Sequence, residues 1–130
     1  MKDLHHQHLL IQAKVNNPPT DESALNWWLE SLVMAVNMKV VIPARSIHVK
    51  TEGNVGLTGA VNIETSHMAI HVWEEEKPAR IEMDLYSCAP FELETVLEHL
   101  RQFDLDSYHF MMVDRNRTPF TVLDQGTFYE

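Results

Sequence analysis

At 130 residues the chain has room for one domain (1–130) with a real core, and not for two. A net charge of −9 argues against nucleic acid or an anionic membrane as partner. Cys88 is the only cysteine, which excludes an intrachain disulfide and fits a reducing cytoplasm.

No apolar run approaches the roughly 20 residues of a membrane span, and Met1 to His8 contains no apolar signal region. His8 to Val15 alternates as a strand, with Leu9, Ile11 and Ala13 on one face, and Asn16-Asn17-Pro18-Pro19 ends it. Thr20 or Asp21 can cap a helix running to about Met38, because Leu25, Trp28, Leu29, Leu32, Val33 and Val36 repeat at helical spacing. Lys39 to Ile42 and Ser46 to Lys50 are strand-like and interrupted at Pro43. Thr51-Glu52-Gly53-Asn54 is a turn.

Val55 to Ile63 and His67 to Trp73 are strands. The polar group Glu64-Thr65-Ser66-His67 breaks the alternation between them, and such a break in a strand destabilises unless each group is satisfied. After the charged turn Glu74 to Pro78, the strand Ala79 to Ser87 alternates Ile81, Met83 and Leu85 with Glu82, Asp84 and Tyr86. Pro90 suits the first turn of a second amphipathic helix carrying Phe91, Val96, Leu97, Leu100 and Phe103. Ser107 to Val113 is a further strand, and Asp114 to Glu130 has no clear period and reads as an extended tail. This order predicts an α+β two-layer sandwich: a mostly antiparallel sheet with two helices packed on one face. The other face of such a sheet needs a partner.

Three groups of residues invite chemistry. His67 and His71 have the i, i+4 spacing of a helical zinc pair, but in a strand they stand roughly 13 Å apart, too far for one ion. His5, His6 and His8 read as a mobile terminus, so no metal site is expected. Ser66, His71 and either Glu64 or Glu75 contain the groups of a hydrolase triad, without a nucleophile elbow around the serine. Cys88 lies between a strand and a helix start, where a thiol is either activated or simply a small buried residue.

Gly56-Leu57-Thr58-Gly59, Glu64-Thr65-Ser66-His67, Ile70-His71-Val72-Trp73 and Asp84-Leu85-Tyr86-Ser87-Cys88 follow one another in that order at close spacing. Together they resemble the bacterial and archaeal S-adenosylmethionine decarboxylases, pyruvoyl enzymes of polyamine and spermidine biosynthesis. The similarity runs from about His8 to Val113 and is densest between Gly56 and Cys88.

The resemblance implies a zymogen that makes its own cofactor. Ser66 would attack the Thr65 carbonyl, and autocatalytic cleavage would leave a β chain, 1–65, and an α chain, 66–130, opening on a pyruvoyl group. That group would form a Schiff base with the substrate amine and act as the electron sink of a decarboxylase. His71 and Thr58 match processing residues, and Cys88 matches the proton donor. Glu75, His67 and Gln12 fall at substrate-binding positions.

The chain departs from the family in the turn Glu74 to Ala79, which is about two residues longer than typical, and at three positions that bear on chemistry. Thr65 stands where the family has glutamate, Gln12 stands where it has another, and Ile47 to Glu52 lacks the aromatic residue that stacks on adenine. Three readings follow. The first is a homodimeric S-adenosylmethionine decarboxylase with a small amino-acid-type substrate. The second is a pyruvoyl decarboxylase of ornithine or arginine on the same fold. The third is an uncleaved homologue that acts as a binding or regulatory subunit.

Overall fold

The alternating segments assemble into one antiparallel sheet of seven strands in the computed structural model, which describes residues 5–64 and 66–130. In chain order the elements are β1 (Gln7–Val15), α1 (Glu22–Ala35), β2 (Val40–Val49), β3 (Gly56–Ile63), β4 (Ser66–Trp73), β5 (Ala79–Ser87), α2 (Leu93–Leu100) with a 3-10 turn (Arg101–Phe103), β6 (Leu105–Asp114) and β7 (Thr121–Tyr129). The strands lie in the order β2-β3-β4-β5-β1-β6-β7. No helix among the described residues is long and apolar enough to cross a membrane.

Strand parity divides the sheet into two faces. Leu9, Ile11 and Val15 of β1, Val61 and Ile63 of β3, Met68 and Ile70 of β4, and Ile81 and Leu85 of β5 are buried. They share one core with Leu25, Leu29 and Leu32 of α1 and Val96, Leu97 and Leu100 of α2. This is the predicted two-layer sandwich with both helices on one face. The opposite face carries His8, Gln12, Thr58, His67, His71, Glu82, Asp84 and Tyr86, together with the exposed apolar residues Leu10, Ile42, Ile47 and Val122.

Local chemistry fixes the ends of α1. The Asp21 carboxylate accepts from the Ala24 N–H at 2.8 Å and caps the helix, as predicted. The helix stops three residues earlier than its apolar period suggests, because Asn37 adopts the left-handed conformation (φ 61°). Met38 N–H then bonds the Val33 carbonyl and Asn37 N–H bonds that of Met34, each at 3.0 Å, closing the helix end with a Schellman motif. This turn delivers Met38 and Lys39 to the end of the sheet.

Several boundaries differ from expectation. Asp114 to Glu130 is not an extended tail: β6 runs to Asp114 and β7 pairs with it antiparallel. β2 continues through Pro43 as an edge strand whose register shifts on either side of it. The Ala44 N–H is satisfied by the Glu30 carboxylate at 2.9 Å. β4 begins at Ser66, and α2 begins at Leu93 instead of Pro90, the connection being held by hydrogen bonds of Ser87. His8 is no mobile terminus: it lies in β1, between β5 and β6.

Candidate active site

Ser66 and Cys88 come together although 22 positions separate them in sequence. Ser66 opens β4, paired with Ile63 across the β3–β4 connection, and Cys88 follows the last residue of the neighbouring β5. Both line a cavity of about 370 Å³ with Asn37, Met38, Lys39, Ile63, Glu64, Ser87 and Ala89. The Glu64 N–H bonds the Lys39 carbonyl at 3.2 Å, which ties the β3 end to the segment after α1. Thr65, the other side of the predicted break, lies outside the described residues.

The backbone of Cys88 is fixed from two sides. Its carbonyl accepts from the His5 N–H at 3.0 Å. The Ser87 hydroxyl, almost fully buried, accepts from the Ala89 N–H at 2.9 Å and donates to the Ala89 carbonyl at 2.8 Å. A buried hydroxyl satisfied in this way holds the Cys88 backbone rigidly at the cavity wall.

A polar cluster spans β4, β5 and β1 on the open face. Asp84 Oδ2 lies 2.7 Å from His8 Nε2 and 3.0 Å from His67 Nε2. Burial pushes the Asp84 carboxyl up, but the hydrogen bonds and charges of His8 and His67 outweigh it and hold the group below the usual aspartate range. Arg115 stacks over the Tyr86 ring at 4.0 Å, and its guanidinium lies 3.1 Å from His8 Nδ1. His6 Nδ1 meets the Tyr86 hydroxyl at 2.9 Å.

Three donor atoms of His8, His67 and Asp84 lie within 4.8 Å of one another, the composition of a two-histidine, one-carboxylate metal centre. Without an ion the three side chains hold one another: Asp84 bridges His8 and His67, and Arg115 braces His8 from its other ring nitrogen, which makes the cluster a hydrogen-bonded clamp.

The remaining predicted residues lie elsewhere. Thr58 and His71 are register partners on the exposed face, with Thr58 Oγ1 3.3 Å from His71 Nδ1. His71 lies five residues after Ser66 in one straight strand and on the opposite face, about 17 Å along it. That separation also rules out a Ser66–His71 hydrolase pair within one chain. Glu75 is exposed at the far end of β4, lining a cavity of about 170 Å³ with Gly53, Val55, Trp73 and Glu76. Gln12 is exposed between Glu82 and His109 of the flanking strands. Thus Thr58, His71 and Glu75 occupy one end of β4, and Ser66 and Cys88 the other.

Sequence reasoning missed the roles of His8, Asp84, Ser87 and Arg115. The signal for the first two was present: polar residues of like parity in strands that an antiparallel sheet makes neighbours.

A solved structure titled as a phage SAM lyase in complex with S-methyl-5'-thioadenosine superposes with a TM-score of 0.42 at 9% identity, covering 97% of this chain and 91% of that one. Among curated proteins, none matches the chain. The family described as S-adenosylmethionine decarboxylase matches residues 7–116, from the start of β1 to just beyond β6. That span includes both ends of β4, Cys88 and the whole clamp, and the chain belongs to the S-adenosylmethionine decarboxylase family.

Proposed function

We propose that this chain is a self-processing, pyruvoyl-dependent decarboxylase of S-adenosylmethionine that works as a homodimer, with a β chain of residues 1–65 and an α chain of residues 66–130. The observation that carries this reading is the shared cavity of Ser66 and Cys88 at the ends of adjacent strands. The Ser66 hydroxyl attacks the carbonyl carbon of Thr65 and the amide becomes an ester. Loss of the Ser66 α-proton expels the Thr65 carboxylate, and water then replaces the nitrogen of residue 66, which leaves as ammonia. The cavity fits the resulting group, because residue 66 and Cys88 line it together beside a braced backbone.

The chemistry this group supplies is an electron sink for the pair left by departing CO2. The chain's own residues do the rest. The Cys88 thiol delivers a proton to the substrate carbon that has lost its carboxylate. Lys39 and Glu64 place both signs of charge around the cavity, which suits an amino-acid head group carrying both. Thr58, His71 and Glu75 act from a second copy. Two-fold stacking of the open faces, with strand directions reversed, lays the far end of β4 in one protomer across the end of β4 that begins at Ser66 in the other. Exposed Leu10, Ile42, Ile47 and Val122 give that face apolar contacts.

Denaturing electrophoresis and intact mass test the reading: the purified protein should appear as two chains broken at Thr65–Ser66, and it should release CO2 from carboxyl-labelled S-adenosylmethionine. A whole chain that stays intact on long incubation sinks it. Release from ornithine or arginine instead would keep the chemistry and replace the substrate. A non-catalytic subunit is the second reading, favoured by Thr65 in place of glutamate and by the distance of His71 from Ser66 within one chain.

A further inference from the structure

We infer that Asp84, braced by His8, is a positioning residue that holds residue 67 in place after the chain breaks, and so keeps residue 66 against Cys88. The inference rests on the cleavage proposed above. Before the break, residue 66 is held by its covalent link to Thr65 and by its pairing with Ile63. After it, residue 66 is a free strand end. It keeps its β3 neighbour Ile63 but has no partner on the other side, because the β5 ladder starts one residue later, at the His67–Tyr86 pair. Free strand ends open at low free energy.

His67 supplies the missing restraint. It is the first side chain beyond the break, and its Nε2 reaches Asp84 Oδ2 at 3.0 Å on β5. Asp84 is held in turn by His8 Nε2 at 2.7 Å, and His8 by Arg115 at 3.1 Å. The link therefore crosses from β4 through β5 to β1 and the segment after β6. Asp84 also lies on β5, four residues before Cys88, which directly follows that strand. One strand thus fixes both the end of the new chain and the group that must meet it, so loosening the clamp moves residue 66 relative to Cys88 without touching either.

The test compares Asp84→Asn with wild type in two backgrounds: the mature, cleaved protein, and the uncleaved Ser66→Ala chain. Deuterium uptake is followed in the peptide that begins at residue 66. In the mature protein Asp84→Asn should raise exchange at the first amides of β4 by about tenfold, and in the uncleaved chain far less. Turnover should fall by about 10- to 100-fold through kcat with KM little changed, as expected for a misplaced reacting group. His8→Ala should give a smaller change of the same kind and serves if Asp84→Asn does not fold. Equal loosening in both backgrounds would reduce Asp84 to ordinary fold stabilisation and overturn the proposal. So would wild-type exchange in mature Asp84→Asn, or failure of that variant to cleave. A wild-type chain that never cleaves defeats the decarboxylase reading itself, which separates the two failures.

Discussion

The separation of His71 from Ser66 makes a quantitative prediction about two inactive variants. A proton-transferring group must lie within about 3 Å of its target. Five residues of strand place His71 about 17 Å from Ser66, on the other face. No rotamer closes that gap, so a processing role for His71 requires a second copy. Ser66→Ala lacks the nucleophile, and His71→Ala lacks the partner group; alone, each should stay whole or, for His71→Ala, cleave far more slowly than wild type. In a mixed dimer, the His71 of one chain acts at the break of the other, and one complete site is restored. With random assortment of equal amounts, about half of the His71→Ala chains pair with Ser66→Ala and should be cleaved.

The assay is co-refolding of the two variants at equal concentration, followed by intact mass, which distinguishes fragments of either parent. Cleavage confined to the His71→Ala chains, approaching one half, supports the composite site. No cleavage above that of the separate variants would refute trans action. Cleavage of isolated His71→Ala at the wild-type rate would remove His71 from processing altogether.

Three further outcomes follow from particular contacts. Gly56 has φ 150°, and a Cβ there would sit 1.8 Å from the Val72 carbonyl oxygen. Gly56→Ala should therefore lower stability by more than about 3 kcal/mol in a denaturant titration, since only backbone movement can relieve the clash. Cys88→Ala should cleave near the normal rate yet turn over poorly and lose activity during assay through mis-protonation; normal turnover would take the proton-donor role from Cys88. Asp84 has a depressed carboxyl pKa, so its contribution to stability is present above about pH 4 and is lost as pH falls through its folded value. Stability measured from neutral pH down to strong acid should fall less steeply in Asp84→Asn than in wild type, and parallel curves would contradict the clamp's charge.

The sandwich was legible because burial imposes alternation. Leu9, Ile11 and Ala13, or Ile81, Met83 and Leu85, are apolar on one parity because the helices cover only that side. β7 escaped for the converse reason: Val122, Leu123, Phe128 and Tyr129 are all exposed, so neither parity is selected and Thr121 to Tyr129 shows no period. Pro43 misled because an edge strand tolerates a missing donor. At the site, Ser66 and Cys88 were readable as motif positions. The clamp was not, because His8, His67 and Asp84 meet only through the register of β4, β5 and β1. The distance of His71 from Ser66 was equally invisible in the motif, which gives the order of residues and not the face each one occupies.

The position of the break relative to the sheet determines what cleavage does to the fold. β3 ends at Ile63 and β4 begins at Ser66, so a cut at Thr65–Ser66 severs no strand. The β chain would keep β1, α1, β2 and β3, and the α chain the remaining elements. These two sets interlock: β1 of the first lies between β5 and β6 of the second, and β3 pairs with β4. Three of the six strand pairings therefore cross between the chains. The helices cross as well, with the Trp28 indole N–H of α1 donating to the His99 carbonyl of α2 at 3.0 Å. Pulling the chains apart would remove β1 from the middle of the sheet and expose Leu9, Ile11 and Val15, a disruption as large as global unfolding. The mature protein should accordingly show two chains under denaturing conditions and one particle in native mass spectrometry. It should unfold in a single denaturant transition whose midpoint depends on protein concentration. Separation of the chains in native buffer, or a second transition at low denaturant, would show that the interlock does not hold the halves together.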